Sequence, residues 1–167
     1  MFIEKKRKVP VPEIIIAALV YLFHYTGLID ITIKGASPII LLPITVAVAM
    51  FYDELVGLLF GLCCGFAMDA VAASTSVFNT IAFMLIGFIA GLLAKRIFNR
   101  NLPAAIALTL ISEIGYFGIK WLISVIIPDV QGKVYYLLWN LTPCAVYTLI
   151  FIIPLYFLEK RLHKQKN

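Results

Sequence analysis

Charge is what this sequence has least of. Only 14% of its 167 residues are Asp, Glu, Lys or Arg, while 62% are hydrophobic and the mean hydropathy is +0.99. Soluble domains carry roughly 25% charged residues and about 45–50% apolar ones. A soluble fold of this length could not bury so much apolar surface, so lipid is the expected solvent. Long polar stretches are missing too, which leaves no material for a second domain. Catalytic signatures are equally scarce. His24 and His163 lack H-E-x-x-H spacing, and there is neither a glycine-rich phosphate loop nor a G-x-S-x-G elbow. No enzyme activity, no cofactor and no metal site are therefore expected. Cysteine is rare, and Cys63, Cys64 and Cys144 all fall inside apolar runs. Neighbouring residues on a helix diverge by about 100°, so Cys63 and Cys64 suit packing better than a metal or a disulfide. The basic start followed by IIIAALVYLF resembles a signal peptide but lacks a small-residue cleavage pattern, and is read as a retained first span.

What is present is a series of apolar runs, at roughly 11–29, 37–52, 55–72, 78–97, 103–127 and 134–158. They predict an all-α membrane protein, a six-transmembrane-helix bundle with short connections, forming one integral membrane domain over 1–167. Pro12, Pro38 and Pro103 stand near segment starts, whereas Pro43 and Pro154 lie further in and are expected to kink their helices. The formal charge of +5 is distributed tellingly. Eleven of the 14 Lys and Arg fall in three clusters, at Lys5 to Lys8, at Lys95, Arg96 and Arg100, and at Lys160, Arg161, Lys164 and Lys166. Each abuts an apolar run, the mark of cytoplasmic loops rather than of a nucleic-acid surface, whereas the outer loops hold only Lys34 and Lys133. Both termini are thus expected in the cytoplasm, and no nucleic-acid partner is expected.

The stretch GLLFGLCCGFAMDA places Gly57, Gly61 and Gly65 four residues apart and ends the same stripe on Asp69. Such a stripe lets another helix approach closely, whether from this chain or from a partner. Gly87 and Gly91 repeat the pattern on the fourth run. A carboxylate in a bilayer costs about 2.5–3.5 kcal/mol even on lenient scales, so Asp69 should face protein or water. Counted at 1.5 Å per residue, Asp69 stands ~21 Å and Lys120 ~24 Å above the inner edge. Either they lie near one another or each snorkels alone to the outer interface. His24, Asn79, Thr80, Asn140 and Thr142 reach a similar level. Glu113, ~13.5 Å up its span, is expected either to be protonated or to bond a hydroxyl such as that of Thr148.

Residues 37–102 resemble the rod shape-determining protein family MreD. The features are a proline-led run, SPIILLPITVAVAMF, a short polar turn, then Gly61, Gly65 and Asp69 in the places of the family's Gly-x-x-x-Gly-Phe/Leu-x-x-Gly-Leu-x-x-Asp pattern. A short turn, STSVFNT, and a glycine-containing span, IAFMLIGFIAGLLAKR, follow as in that family. The chain departs from it at Asn79, where MreD proteins often have glycine. The resemblance implies a non-enzymatic scaffold in the bacterial cytoplasmic (inner) membrane, within the machinery that builds the lateral cell wall. It implies MreC as direct partner, and RodA, the elongation penicillin-binding protein and MreB as indirect ones. The basic clusters add membrane lipids as partners. The competing reading is the S component of an energy-coupling-factor vitamin transporter, which shares six helices and cytoplasmic ends. Its docking helix carries Ala-x-x-x-Ala, whereas the first span here reads PEIIIAALVYLF.

Overall fold

The first turn of an α-helix has N–H groups with no intrahelical acceptor, so proline costs little there. Pro12 is the second residue of helix α1 (Val11–Tyr25), Pro43 the third of α2 (Leu41–Phe51) and Pro103 the second of α5 (Leu102–Trp121). The computed structural model describes residues 11–25, 39–71, 77–96, 101–123 and 142–165. Within them the chain is all-helical, with α3 (Glu54–Val71), α4 (Phe78–Arg96) and α6 (Thr142–Gln165) completing the set and no strand. Pro43 does not sit inside its helix as expected. The helix begins at Leu41, so the missing N–H falls in the first turn and breaks nothing. Pro154 is interior to α6. By length and composition α4 and α5 suffice to cross a bilayer, and α1 and α2 contain shorter apolar stretches.

Helix α2 reads LLPITVAVAMF, with no polar face, and a helix that is apolar all round belongs inside. All of its residues are buried, and α1, α3, α4, α5 and α6 pack around it. Its one hydroxyl, Thr45, donates back to the Leu41 carbonyl at 2.8 Å, so nothing polar is left over. The outward faces of the surrounding helices are conversely apolar, with Leu59, Phe66, Ile89, Ile114 and Ile150 all exposed. That is the inverse of a soluble surface and fits a lipid solvent.

Helices α3 and α4 run antiparallel and make the most intimate contact in the bundle. A Cβ on Gly61 would collide with the backbone carbonyl of Phe83, and one on Gly65 with that of Asn79. Gly57 and Gly87 stand in the same relation to each other, and Gly91 abuts Glu54 at the start of α3. The glycine stripe is thus filled by a helix of the same chain, with backbone against backbone, as in lipid-embedded helix pairs.

Two ends result. At one, Lys95 of α4 reaches Asp53 and Glu54 in the α2–α3 turn at 3.3 and 3.2 Å. Glu13 at the start of α1 and Tyr156 towards the end of α6 lie at this end too, through Tyr52 and Phe51 respectively. At the other end are Asp69, Asn79 and Tyr116.

These contacts separate the glycines into two classes. Gly61→Leu must push α4 off α3, and is expected to abolish accumulation of folded protein or lower its thermal midpoint by well over 10 °C. A Cβ on Gly115 of α5 meets nothing within 4 Å. Gly115→Ala is therefore expected to be neutral or to stabilise by about 0.5–1 kcal/mol through helix propensity. Thermal unfolding of the purified chain in mild detergent checks both.

Candidate functional site

The N-terminus of α4 needs acceptors for its first-turn N–H groups, because no preceding turn of the helix supplies them. They come from α3. One oxygen of Asp69 accepts from the Asn79 N–H at 3.3 Å and from its side-chain amide at 2.8 Å. The other accepts from the Thr80 N–H at 2.8 Å and the Thr80 hydroxyl at 2.6 Å. Asp69 is therefore an N-cap supplied by a neighbouring helix. Its charge also lies at the positive end of the α4 dipole. Only 6% exposed, it owes its place in the bundle to these four donors.

The network continues outward from α4. With its amide NH₂ donating to Asp69, Asn79 offers its carbonyl oxygen to the Tyr116 hydroxyl, which donates at 2.6 Å. The Tyr116 ring is buried among Phe78, Phe83 and Phe117, with centroids 5.3–5.7 Å away. Lys120, one turn further along α5, carries its ammonium 5.6 Å from the same ring centroid, within cation–π range. Asp69 and Lys120 thus form no ion pair. Asp69 is saturated by α4, and Lys120 rests on an aromatic face. They are linked instead through Asn79 and Tyr116, in one layer tying α3 to α4 to α5. From the α1 side, the Tyr21 hydroxyl donates to the Ala67 carbonyl of α3 at 2.9 Å.

Other expected residues fall elsewhere. Asn140 lies outside the described residues, as do the side chains of His24 and Thr142. Glu113 is 1% exposed and neither of its oxygens has a hydrogen-bond partner. Thr148 is not its partner. That hydroxyl donates to the Cys144 carbonyl at 2.7 Å and accepts from the Ile39 N–H at 3.1 Å.

Two features escaped the sequence. Tyr116 joins the polar layer, and its spacing four residues before Lys120 was the available signal. At the opposite end, Glu13 and Glu159 are buried, and the Tyr52 hydroxyl donates to Glu13 at 2.6 Å. Carboxylates at the borders of apolar runs look like interface residues in sequence, and only the fold turns them inward. Nothing in either cluster aligns a nucleophile with a base. Among the described residues no three His, Cys, Asp or Glu side chains converge as a metal would require.

The hairpin that Asp69 closes lies inside a match that extends well beyond it. The family model described as rod shape-determining protein MreD matches residues 11–164. The chain belongs to the MreD family. No curated protein matches it, and neither does any solved structure. MreD membership makes this a protein of rod-shape determination from a membrane protein family. A glycine in place of Asn79 could leave the α4 N–H on Asp69 but could not carry the network on to Tyr116.

The network orders three substitutions. Asp69→Ala leaves two backbone and two side-chain donors without their acceptor and is expected to cost on the order of 2–4 kcal/mol. Asp69→Asn keeps one acceptor oxygen and should fall between. Tyr116→Phe keeps the aromatic contacts and loses one hydrogen bond, about 1 kcal/mol. Thermal midpoints of the three purified variants should rank in that order.

Proposed function

We propose that this chain is a non-enzymatic scaffold of the cell-wall elongation machinery. In this reading it crosses the bacterial cytoplasmic membrane six times, with both ends in the cytoplasm, and binds MreC directly. Through MreC it helps to organise lateral peptidoglycan synthesis by RodA and the elongation penicillin-binding protein beneath or beside MreB. The observation that carries the proposal is the family match over 11–164. Three features of the chain support it. The start of α1, the α2–α3 turn and the far ends of α4 and α6 share one end of the bundle, as cytoplasmic termini require. In sequence the basic clusters adjoin the helix ends found there, where anionic lipid or a cytoplasmic partner can meet them. The α2–α3, α3–α4 and α4–α5 connections are short, which favours a contribution made in the bilayer, through helix faces and lipid contacts.

A scaffold of this kind uses faces other than the α3 stripe for MreC, because α4 already occupies it. Partner binding and hairpin closure are then separate properties of the chain. The test is mild-detergent purification of the full-length protein from its own membranes, followed by mass spectrometry. The expected result is co-purification of a single-span protein with a periplasmic coiled coil, and loss of rod shape in cells lacking the chain. A preparation that retains a vitamin and no such partner would instead assign it to a transporter component.

A further inference from the structure

Glu113 stands in the middle of α5, and α5 packs on α2, α4 and α6. Both of its side-chain oxygens are inaccessible to a water-sized sphere and neither has a partner. The hydroxyls on the same face are already used. Thr109, one turn earlier, donates to the Ala105 carbonyl at 2.8 Å, and Thr148 of α6 is spent on Cys144. Among the described side chains no charged group lies beside Glu113 either. Helix α2 contains no titratable side chain, and the charges of α4, Lys95 and Arg96, are confined to its last turn. Among the described side chains of α6 the titratable group within electrostatic reach is the Cys144 thiol, with Tyr156, Glu159 and Lys160 three or more turns further along. On α5 itself Tyr116 is bound to Asn79, and Lys120 lies over its ring two turns away.

An ionised carboxylate in such a setting has neither water nor a counter-charge, a penalty that is a large fraction of a domain's whole stability. A neutral carboxyl costs far less, only what an unpaired hydroxyl costs. The closed interface can therefore hold Glu113 with its proton but not without it. We propose that Glu113 is an intramembrane proton-binding site whose occupancy is coupled to the packing of α5 on α2 and α6. The proton is held while that interface is closed and released when it opens to water or to a donor. The α3–α4 hairpin, locked by glycine contact and by Asp69, stays fixed, so α5 is the element that moves. This inference is independent of MreC binding.

Two measurements on the full-length chain test it. The folded state holds a proton that the unfolded chain has already lost at neutral pH, so stability must fall as pH rises. The thermal midpoint of the wild-type protein in detergent should decrease from pH 6 to pH 9 relative to that of Glu113→Gln, which lacks the titrating group. Parallel profiles would overturn the proposal. The second uses dicyclohexylcarbodiimide, an apolar reagent that partitions into lipid. The carboxyl proton passes to a carbodiimide nitrogen, the carboxyl oxygen bonds the central carbon, and the adduct rearranges to a stable N-acylurea. In vesicles of phosphatidylethanolamine and phosphatidylglycerol, Glu113 should be modified at pH 6 and at least about tenfold less at pH 9. Absence of modification at every pH overturns the coupling, because an interface that opens must expose the acid. This arm uses the wild-type chain, so it decides the matter even where Glu113→Gln fails to accumulate.

Discussion

Close backbone contact between α3 and α4 is possible only while the start of α4 is held in register, and Asp69 supplies that hold. The two features depend on each other. In lipid, helices gain nothing from hiding apolar surface, so association rests on dispersion at short range and on hydrogen bonds. Gly57, Gly61 and Gly65 bring the backbones to contact, and a shift of one residue along α4 would replace a carbonyl next to each glycine by a side chain. Four hydrogen bonds to Asp69 fix the position from which that spacing is counted. Without the glycines, Asp69 could not reach α4, and without Asp69 the first turn of α4 would lie in the bundle with unsatisfied donors. The rest of the bundle is arranged on this pair, with α2 at its back and α5 joined to its Asp69 end through Asn79 and Tyr116.

The opposite end is built on other terms. Lys95 bridges Asp53 and Glu54 with half-exposed side chains, and pairs of that kind contribute little. What joins α1 to α2 there is the buried bond from Tyr52 to Glu13, with Glu159 of α6 close enough to act on the same phenol. The bundle therefore has a polar fastening at each end and an almost entirely apolar middle, in which Glu113 is the exception. That distribution suits a chain whose partners are reached through apolar helix faces. The polar groups are spent on internal registration and leave the outer surface greasy.

Much of this was legible from residue spacing. The four-residue glycine stripe and a carboxylate at its end imply close helix packing and a buried acceptor, and the family pattern in the same stretch named the class of protein. Depth counting brought Asp69, Asn79, Thr80 and Lys120 to one level, and Asp69, Asn79 and Thr80 do meet. It could not say who bonds whom, because rise along a helix fixes height and leaves azimuth open. Azimuth is why Asp69 chose the α4 terminus over Lys120, and why Thr148 turned to its own helix rather than to Glu113. Pro43 was misread for a different reason. An apolar run does not announce where its helix begins, and a start at Leu41 turns an expected kink into a harmless first-turn residue. Glu13 and Glu159 were invisible because a carboxylate next to a basic cluster looks solvated until the fold encloses it.

Two of the buried carboxyls of this bundle, Asp69 and Glu113, show how one cost is met in opposite ways. Asp69 is surrounded by donors fixed by helix geometry, so its charge is part of the folded structure, and no change of conformation could improve its surroundings. Glu113, equally buried, has been given no donor at all, although Thr109 precedes it by one turn and another threonine lies on α6. Apolar residues of similar size would fill its place without penalty. A group that only filled space would have no reason to be an acid. The difference between the two sites is therefore mechanical. The hairpin around Asp69 has a single favourable arrangement, whereas the α5 interface around Glu113 has a closed state that is stable only with an extra proton. A bundle built from one rigid pair and one proton-dependent joint can change shape along that joint alone.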